Sequence, residues 1–301
     1  MGGLSRKGRS ALRFLPIAGL IAIAAGLIAA WAVGSALVRP TPSTVAPATR
    51  PALDFHLASK DGVTLGASYW PGARADGPAV LLLHGNGAAR AAMAPTAMWL
   101  AAQGFAVLSI DFRGHGDSTA REHSFGHAES ADAHVALRWL RHQQHGGKIA
   151  VIGVSLGGAA ALIGPEGPVP ADALVLQAVY PDIRHAIRNR IAAVAGAWPA
   201  FLLEPLLSYQ SRPRFGVWPD ALSPIAALPA YRGPVLIVGG GADRYTPPDE
   251  TRALYAAARG PKRLWWATGM DHASVSGVAT PAYRAALLAF LVRTIGAPKP
   301  S

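Results

Sequence analysis

From Asp54 onward, short apolar runs alternate with longer stretches in which apolar residues recur every three or four positions. The continuous apolar run Ala79–Leu83 and the mostly apolar stretches Ala106–Ile110, Ile149–Val154, Ala173–Val179, Val235–Gly239 and Arg263–Ala267 predict strands. A run without polar alternation suits a strand covered on both faces. Phe55–Ala58 and Leu65–Trp70 predict two opening strands, with the turn signal Asp61-Gly62 between them. Ala91–Gln103, Glu129–Arg141, Leu156–Ile163, Asp249–Ala258 and Ala282–Thr294 read as helices. Gly104 offers the first of these a C-terminal cap. Repeated strand–helix alternation predicts an α/β fold, a mostly parallel central sheet with helices on both faces. Pro181–Tyr231 interrupts the alternation. It lacks a convincing strand but holds Trp198, Phe201, Leu202, Leu203, Leu206, Leu207, Phe215 and Trp218 among prolines. Such a stretch predicts a small helical cap at about 181–231.

The N-terminal pattern is different. Phe14 to Val38 contains no charged residue. As a helix it extends about 37 Å, enough to cross an apolar layer of about 30 Å with some tilt. Arg6, Lys7, Arg9 and Arg13 precede it. Positive flanks stay cytoplasmic, so the remainder of the chain is expected on the extracytoplasmic side. The chain therefore divides into a basic segment 1–13, a transmembrane signal anchor 14–38, a Pro/Thr-rich linker 39–51 and a globular domain 52–301. Four prolines between Arg39 and Pro51 predict an extended tether rather than packed structure. A cleaved signal peptide is the rival reading, with Ala30-Trp31-Ala32 as the small-x-small site. The apolar stretch is longer than the roughly 7–15 residues that such a peptide uses. A buried soluble helix is the third reading.

Composition changes this picture little. The 301 residues are 51% apolar and 15% charged, with a formal net charge of +11. The only compact basic cluster flanks the apolar segment, and no basic and aromatic interleaving recurs. A nucleic-acid partner is therefore not expected, whereas attraction to anionic lipid is. The chain has no cysteine, which excludes disulfides, thiolate catalysis and cysteine-ligated zinc. His115, His123, His127, His134, His142 and His145 crowd one region. His134 and His142 lack a second ligand at helical i+4 spacing, so no metal site is expected. Gly239-Gly240-Gly241 lacks the dinucleotide-binding spacing. No cofactor is expected.

Gly153-Val154-Ser155-Leu156-Gly157 carries the candidate chemistry. It follows a predicted buried strand and opens a short helix, the context in which G-x-S-x-G presents a nucleophile. The serine needs a sharp turn to project above the sheet, and glycines at both flanks remove side chains that would clash there. Its place at a helix N-terminus favours developing negative charge.

Four motifs in order resemble the α/β-hydrolase superfamily, and within it the serine-aminopeptidase-like branch that includes many membrane-anchored bacterial hydrolases. They are His84-Gly85-Asn86-Gly87, Asp111-Phe112-Arg113-Gly114-His115-Gly116-Asp117-Ser118, the Ser155 turn, and an Asp then a His near the C-terminus. The similarity runs from about Asp54 to the end. It implies a Ser-His-Asp triad of Ser155, His272 and Asp243, with Asp271 and Asp249 as rival acids. It also implies an oxyanion hole from the backbone N–H groups of Asn86 and Leu156, with His84 and Arg113 bracing loops. Such a triad implies acyl transfer without a cofactor. The apolar cap and the anchor favour a small or lipid-like carboxylic ester substrate. A peptidase or amidase on the same triad, and a non-catalytic membrane-anchored binding module, are the alternatives.

Overall fold

The computed structural model describes residues 6–59 and 61–298, with side chains from Ile17 onward. The first five residues of the predicted basic segment, its arginine and lysine side chains, and residues 299–301 lie outside the described residues. In chain order the elements are α1 (Arg6–Leu37), β1 (Thr41–Pro42), β2 (Leu53–Ala58), β3 (Thr64–Trp70), β4 (Ala79–Leu83), α2 (Arg90–Ala102), β5 (Ala106–Ile110), β6 (His115–Gly116) and α3 (Glu129–Gln143). There follow β7 (Ile149–Val154), α4 (Leu156–Ala160), β8 (Ala173–Gln177), α5 (Ile183–Ala195), α6 (Ala197–Ser208), α7 (Ser211–Phe215) and α8 (Pro224–Ala227). The chain closes with β9 (Val235–Gly240), α9 (Pro248–Ala257), β10 (Lys262–Ala267), α10 (His272–Ser276) and α11 (Pro281–Ile295).

Eight strands form one sheet in the order β10-β9-β8-β7-β4-β5-β3-β2. Only the pairings of β2 with β3 and of β3 with β5 are antiparallel. Every residue of β4, β5, β7, β8 and β9 is buried, which explains why these runs are apolar without alternation. Successive residues of one strand feed opposite cores. Leu81 and Leu83 of β4 join Leu137 and Leu140 of α3 on one face. Val80 and Leu82 join Leu100 of α2 and Leu287 and Phe290 of α11 on the other. The segment 181–231 is helical, as its pattern predicts, and α5 and α6 form its body. Asp182 caps α5 by accepting from the His185 N–H at 2.9 Å.

The linker departs from expectation. Segment 39–51 is mostly exposed, but it is hydrogen-bonded to the domain at Thr41, Ser43 and Ala48. Thr41–Pro42 pairs in parallel with His115–Gly116, the Thr41 N–H donates to the Gly114 carbonyl at 2.7 Å, and the Ser43 N–H donates to the Gly116 carbonyl at 2.8 Å. Val38 is buried. Prolines favour an extended chain, and an extended chain is the conformation that an exposed loop edge can hydrogen-bond.

Two buried arginines anchor the loop that receives this strand. Arg113 donates to both carboxylate oxygens of Asp132, Nη2 to Oδ1 at 2.6 Å and Nε to Oδ2 at 3.1 Å, and reaches Asp61 at 2.8 Å. Arg90 pairs with Asp111 and with Asp117, the latter at 2.5 Å. These contacts give Arg113 the bracing role that the sequence suggests for it. Asp132 is fully buried, while the Asp61 side chain is 46% exposed. Removing one partner of a buried pair strands the other charge, whereas exposed pairs contribute little. Asp132→Ala is therefore expected to lower the unfolding free energy by about 3–5 kcal/mol. Asp61→Ala is expected to lower it by less than about 1 kcal/mol. Denaturant titration of both variants checks this, and equal losses would contradict it.

Candidate active site

Ser155 stands where β7 ends and α4 begins, with φ 47° and ψ −108°. A non-glycine residue at positive φ is strained, and the surroundings hold it there. The Ser155 N–H donates to the Gln177 carbonyl of β8 at 2.8 Å. A Cβ on Gly153 would sit 2.5 Å from the Gly158 backbone nitrogen, and one on Gly157 would sit 2.3 Å from the Leu83 carbonyl oxygen. Both positions therefore require glycine for the turn to close, in agreement with the sequence motif.

Asp243 and His272 meet although 29 residues separate them. His272 Nδ1 donates to Asp243 Oδ2 at 2.8 Å, and the Asp243 side chain is fully buried. The other carboxylate oxygen accepts from the N–H groups of Tyr245 and Thr246, both at 2.8 Å. The Thr246 hydroxyl lies 3.2 Å from His272 Nδ1 and donates to the Ala178 carbonyl. Asp243 thus fixes the tautomer that leaves His272 Nε2 free to accept a proton. The rival acids are placed elsewhere. Asp271 caps α10 through the Ser274 N–H at 2.9 Å, and Asp249 is exposed in the first turn of α9. Among the described residues, Ser155 Oγ makes no hydrogen bond. The structure therefore joins His272 to Asp243 by a hydrogen bond but does not join it to Ser155.

Ser155, Asn86 and Leu156 line one cavity of about 350 Å³. Neither the Asn86 nor the Leu156 backbone N–H has an acceptor among the described residues, so both are available to an incoming oxygen. The cavity is otherwise mainly apolar. Ile183, Ile187 and Ile191 of α5 and Leu207 of α6 form much of its wall. Val33 and Leu37 of α1 complete it, a contribution that nothing local in the sequence signals.

Two histidines hold the Asn86 loop. The Phe112 N–H donates to His84 Nε2 at 3.1 Å, so the ring proton sits on Nδ1 and faces the Gly85 carbonyl at 2.8 Å. His84 therefore braces the loop. His115, which the sequence motif contains without a role of its own, does the same from the other side. It accepts from the Gly87 N–H at Nε2 (3.1 Å) and donates from Nδ1 to the Arg113 carbonyl (3.1 Å). It stacks on His123 with ring centroids 3.9 Å apart. Burial pushes His84 down to about 4. Burial, then the neighbouring imidazoles of His84 and His123, pushes His115 down to about 3. Thr246 was missed, being a threonine in a polar loop whose role depends on a distant imidazole.

The depressed values fix a pH dependence. An unfolded histidine binds a proton below about pH 6.5, while folded His115 stays neutral to about pH 3. The unfolded state then binds more protons, so stability falls as pH falls through this window. Each such histidine contributes a slope of about 1.4 kcal/mol per pH unit. His115→Gln is expected to flatten the stability–pH line between pH 6 and 4.5 by about that amount. Denaturation midpoints across this range test it, and an unchanged slope would contradict the neutral, buried ring.

A family model described as serine aminopeptidase, S33, matches residues 76–212. An uncharacterized protein of Mycobacterium tuberculosis, Rv2307c, is 32% identical over 272 residues, covering 86% of this chain and 88% of that protein. Among solved structures, an esterase of Pyrococcus furiosus superposes with a TM-score of 0.67 at 21% identity, covering 86% of this chain and 99% of that one. A thermophilic esterase of Thermogutta terrifontis with propionate bound superposes with a TM-score of 0.64 at 21% identity, covering 85% and 98%. The parallel sheet, the serine turn between β7 and α4, and these likenesses together make the chain a member of the α/β-hydrolase superfamily.

Proposed function

We propose that this protein is a serine hydrolase that cleaves carboxylic esters with an apolar acyl group, using Ser155, His272 and Asp243. The observation that carries this reading is the strained Ser155 turn opening into an apolar cavity beside two unpaired N–H groups. The ester carbonyl sits with its oxygen toward the Asn86 and Leu156 N–H groups. Ser155 Oγ attacks the acyl carbon while His272 Nε2 takes the hydroxyl proton. Asp243 stabilises the resulting imidazolium through Nδ1. The tetrahedral oxyanion collapses, the bond to the leaving alkoxide breaks, and His272 returns the proton to that oxygen. Water then attacks the acyl-enzyme by the same route, releasing the carboxylic acid and restoring Ser155. Losing one oxyanion donor would cost about 3–4 kcal/mol of transition-state stabilisation.

The membrane arrangement belongs to the same proposal. Ile17–Leu37 is long and apolar enough to cross a bilayer, with a mean hydropathy of 2.2. We take 14–38 as an uncleaved anchor, residues 1–13 as cytoplasmic, and 52–301 as the hydrolase domain on the extracytoplasmic side. The segment 39–51 joins them. A matching family model described as an aminopeptidase favours one second reading, amide cleavage on the same triad.

Full-length protein in detergent, assayed on p-nitrophenyl esters from acetate to palmitate, tests the reading. Ser155→Ala is expected to reduce kcat by about four orders of magnitude or more, with the fold retained by circular dichroism. Asp243→Asn is expected to lose about 10⁴-fold in kcat by releasing the imidazole tautomer. A fluorophosphonate probe is expected to label the parent protein and not Ser155→Ala. Turnover of matched amides but not esters would move the assignment to the second reading. Absence of probe labelling in folded protein would favour a binding role instead.

A further inference from the structure

The helix α6 is built inside out. Its fully buried positions are Ala200, Glu204 and Ser208, which recur every four residues. Glu204 is held there by Arg184 at 3.0 Å and Arg188 at 3.1 Å, both from α5. The large apolar side chains point away from the domain: Trp198 is 79% exposed, Phe201 61% and Leu202 66%. Water-facing helices carry the opposite pattern. No charged residue occurs from Ile191 to Leu203.

Helix α6 packs against α1, and the residues just after it are hydrogen-bonded to α1. Gln210 Nε2 donates to the Ala30 carbonyl at 2.9 Å. Arg214 Nη2 donates to the Trp31 carbonyl at 3.0 Å and to Ser35 Oγ at 2.8 Å, with its guanidinium 3.9 Å from the Trp31 ring centroid. A Cβ on Gly34 would meet the end of the Gln210 side chain, so the two segments lie close at this point.

The grip makes the length of α1 decisive. The uncharged helix ahead of Ala30 begins at Phe14 and rises about 24 Å at 1.5 Å per residue. An apolar bilayer core is about 30 Å thick. If α1 crosses it, roughly 6 Å of the gripped portion lies within the apolar layer as well, and α6 is carried in beside it. That depth matches the roughly 5–10 Å by which interfacial helices sink. Trp31 and Trp218, each under an arginine, supply the amphipathic rings and cations typical of a membrane boundary.

From this we infer that the exposed face of α6 is seated in the outer leaflet of the bilayer that α1 crosses, so that acyl chains enter the Ser155 cavity from lipid rather than from water. This rests on the hydrolase and anchor readings above. The cavity wall agrees with it. Val33 and Leu37 come from the gripped turns of α1, and Val194, which is 89% exposed, comes from the α5–α6 corner. The anchor is thereby part of the substrate site, and a lipid-soluble ester reaches Ser155 without crossing the aqueous phase.

The chain's lack of cysteine permits a clean test. Single cysteines are introduced as Phe201→Cys, Leu202→Cys and, at an exposed position of α3, Arg138→Cys. Each full-length variant is labelled with an NBD fluorophore and reconstituted in phosphatidylcholine vesicles containing doxyl-labelled lipid. The expected result is blue-shifted emission quenched by the doxyl lipid at positions 201 and 202, with water-like, unquenched emission at 138. Water-like emission at 201 and 202 would overturn the inference. Blue-shifted emission without lipid quenching would also overturn it, in favour of a second copy covering α6. A second measurement uses Phe201→Glu combined with Leu202→Glu. Vesicle-borne palmitoyl ester is expected to show KM raised at least about tenfold, with p-nitrophenyl acetate turnover in detergent unchanged. Equal KM on vesicles would count against lipid seating. The fluorescence readout needs no catalysis, so a failure of the hydrolase reading and a failure of this inference give different results.

Discussion

A side chain rises clear of a parallel sheet only where a strand breaks sharply into a helix, and that break forces the backbone of Ser155 to positive φ. Everything around it serves this one strained residue. Gly153 and Gly157 let neighbouring backbone approach within distances that a methyl group would forbid. The sheet register puts the Gln177 carbonyl where it can fix the Ser155 N–H. Strain of this kind costs of order 1–3 kcal/mol and persists only when surrounding contacts over-determine it. Burial of five consecutive sheet strands on both faces supplies those contacts.

The loops that complete the site are positioned by ionic and imidazole contacts rather than by apolar packing. Arg90 and Arg113 fix the loop after β5, and that loop carries His115, which fixes Gly87 beside Asn86. A chain of polar contacts therefore runs from buried carboxylates to the mouth of the cavity. On the opposite side Thr246 and Asp243 share the His272 Nδ1 proton, and Asp243 is itself held by backbone amides. Loop polarity that looks like ordinary solvent exposure in the sequence is here the means of holding geometry.

Much of the architecture was legible because its signals are local. A strand buried on both faces must be apolar throughout, so Ala79–Leu83, Ala106–Ile110 and Ile149–Val154 are found at the predicted residues. Helix α4 ends at Ala160, earlier than the apolar pattern to Ile163 suggests, because the buried residues after it continue as a turn. The pairing of Asp243 with His272 was implied by the family resemblance, and both residues do lie just beyond strand ends. What was not legible depends on distant partners. Gln210 and Arg214 reach the backbone of α1 across 180 and 183 residues. No periodicity in either segment announces that contact. The linker was misjudged for a related reason: proline content reports an extended conformation but says nothing about whether another backbone lies alongside it.

That hydrogen-bonded linker has a mechanical consequence. A flexible tether would decouple the domain from its anchor, and the site would then be indifferent to the state of the bilayer. Here β1 is paired to the domain, Val38 is buried and Arg214 clasps the end of α1. With α1 crossing a bilayer as proposed, the domain inherits whatever angle the helix adopts. A long apolar helix answers a thinner membrane by tilting. Membrane thickness thereby becomes a mechanical input, a lever whose short arm ends at Val33 and Leu37 in the wall of the cavity.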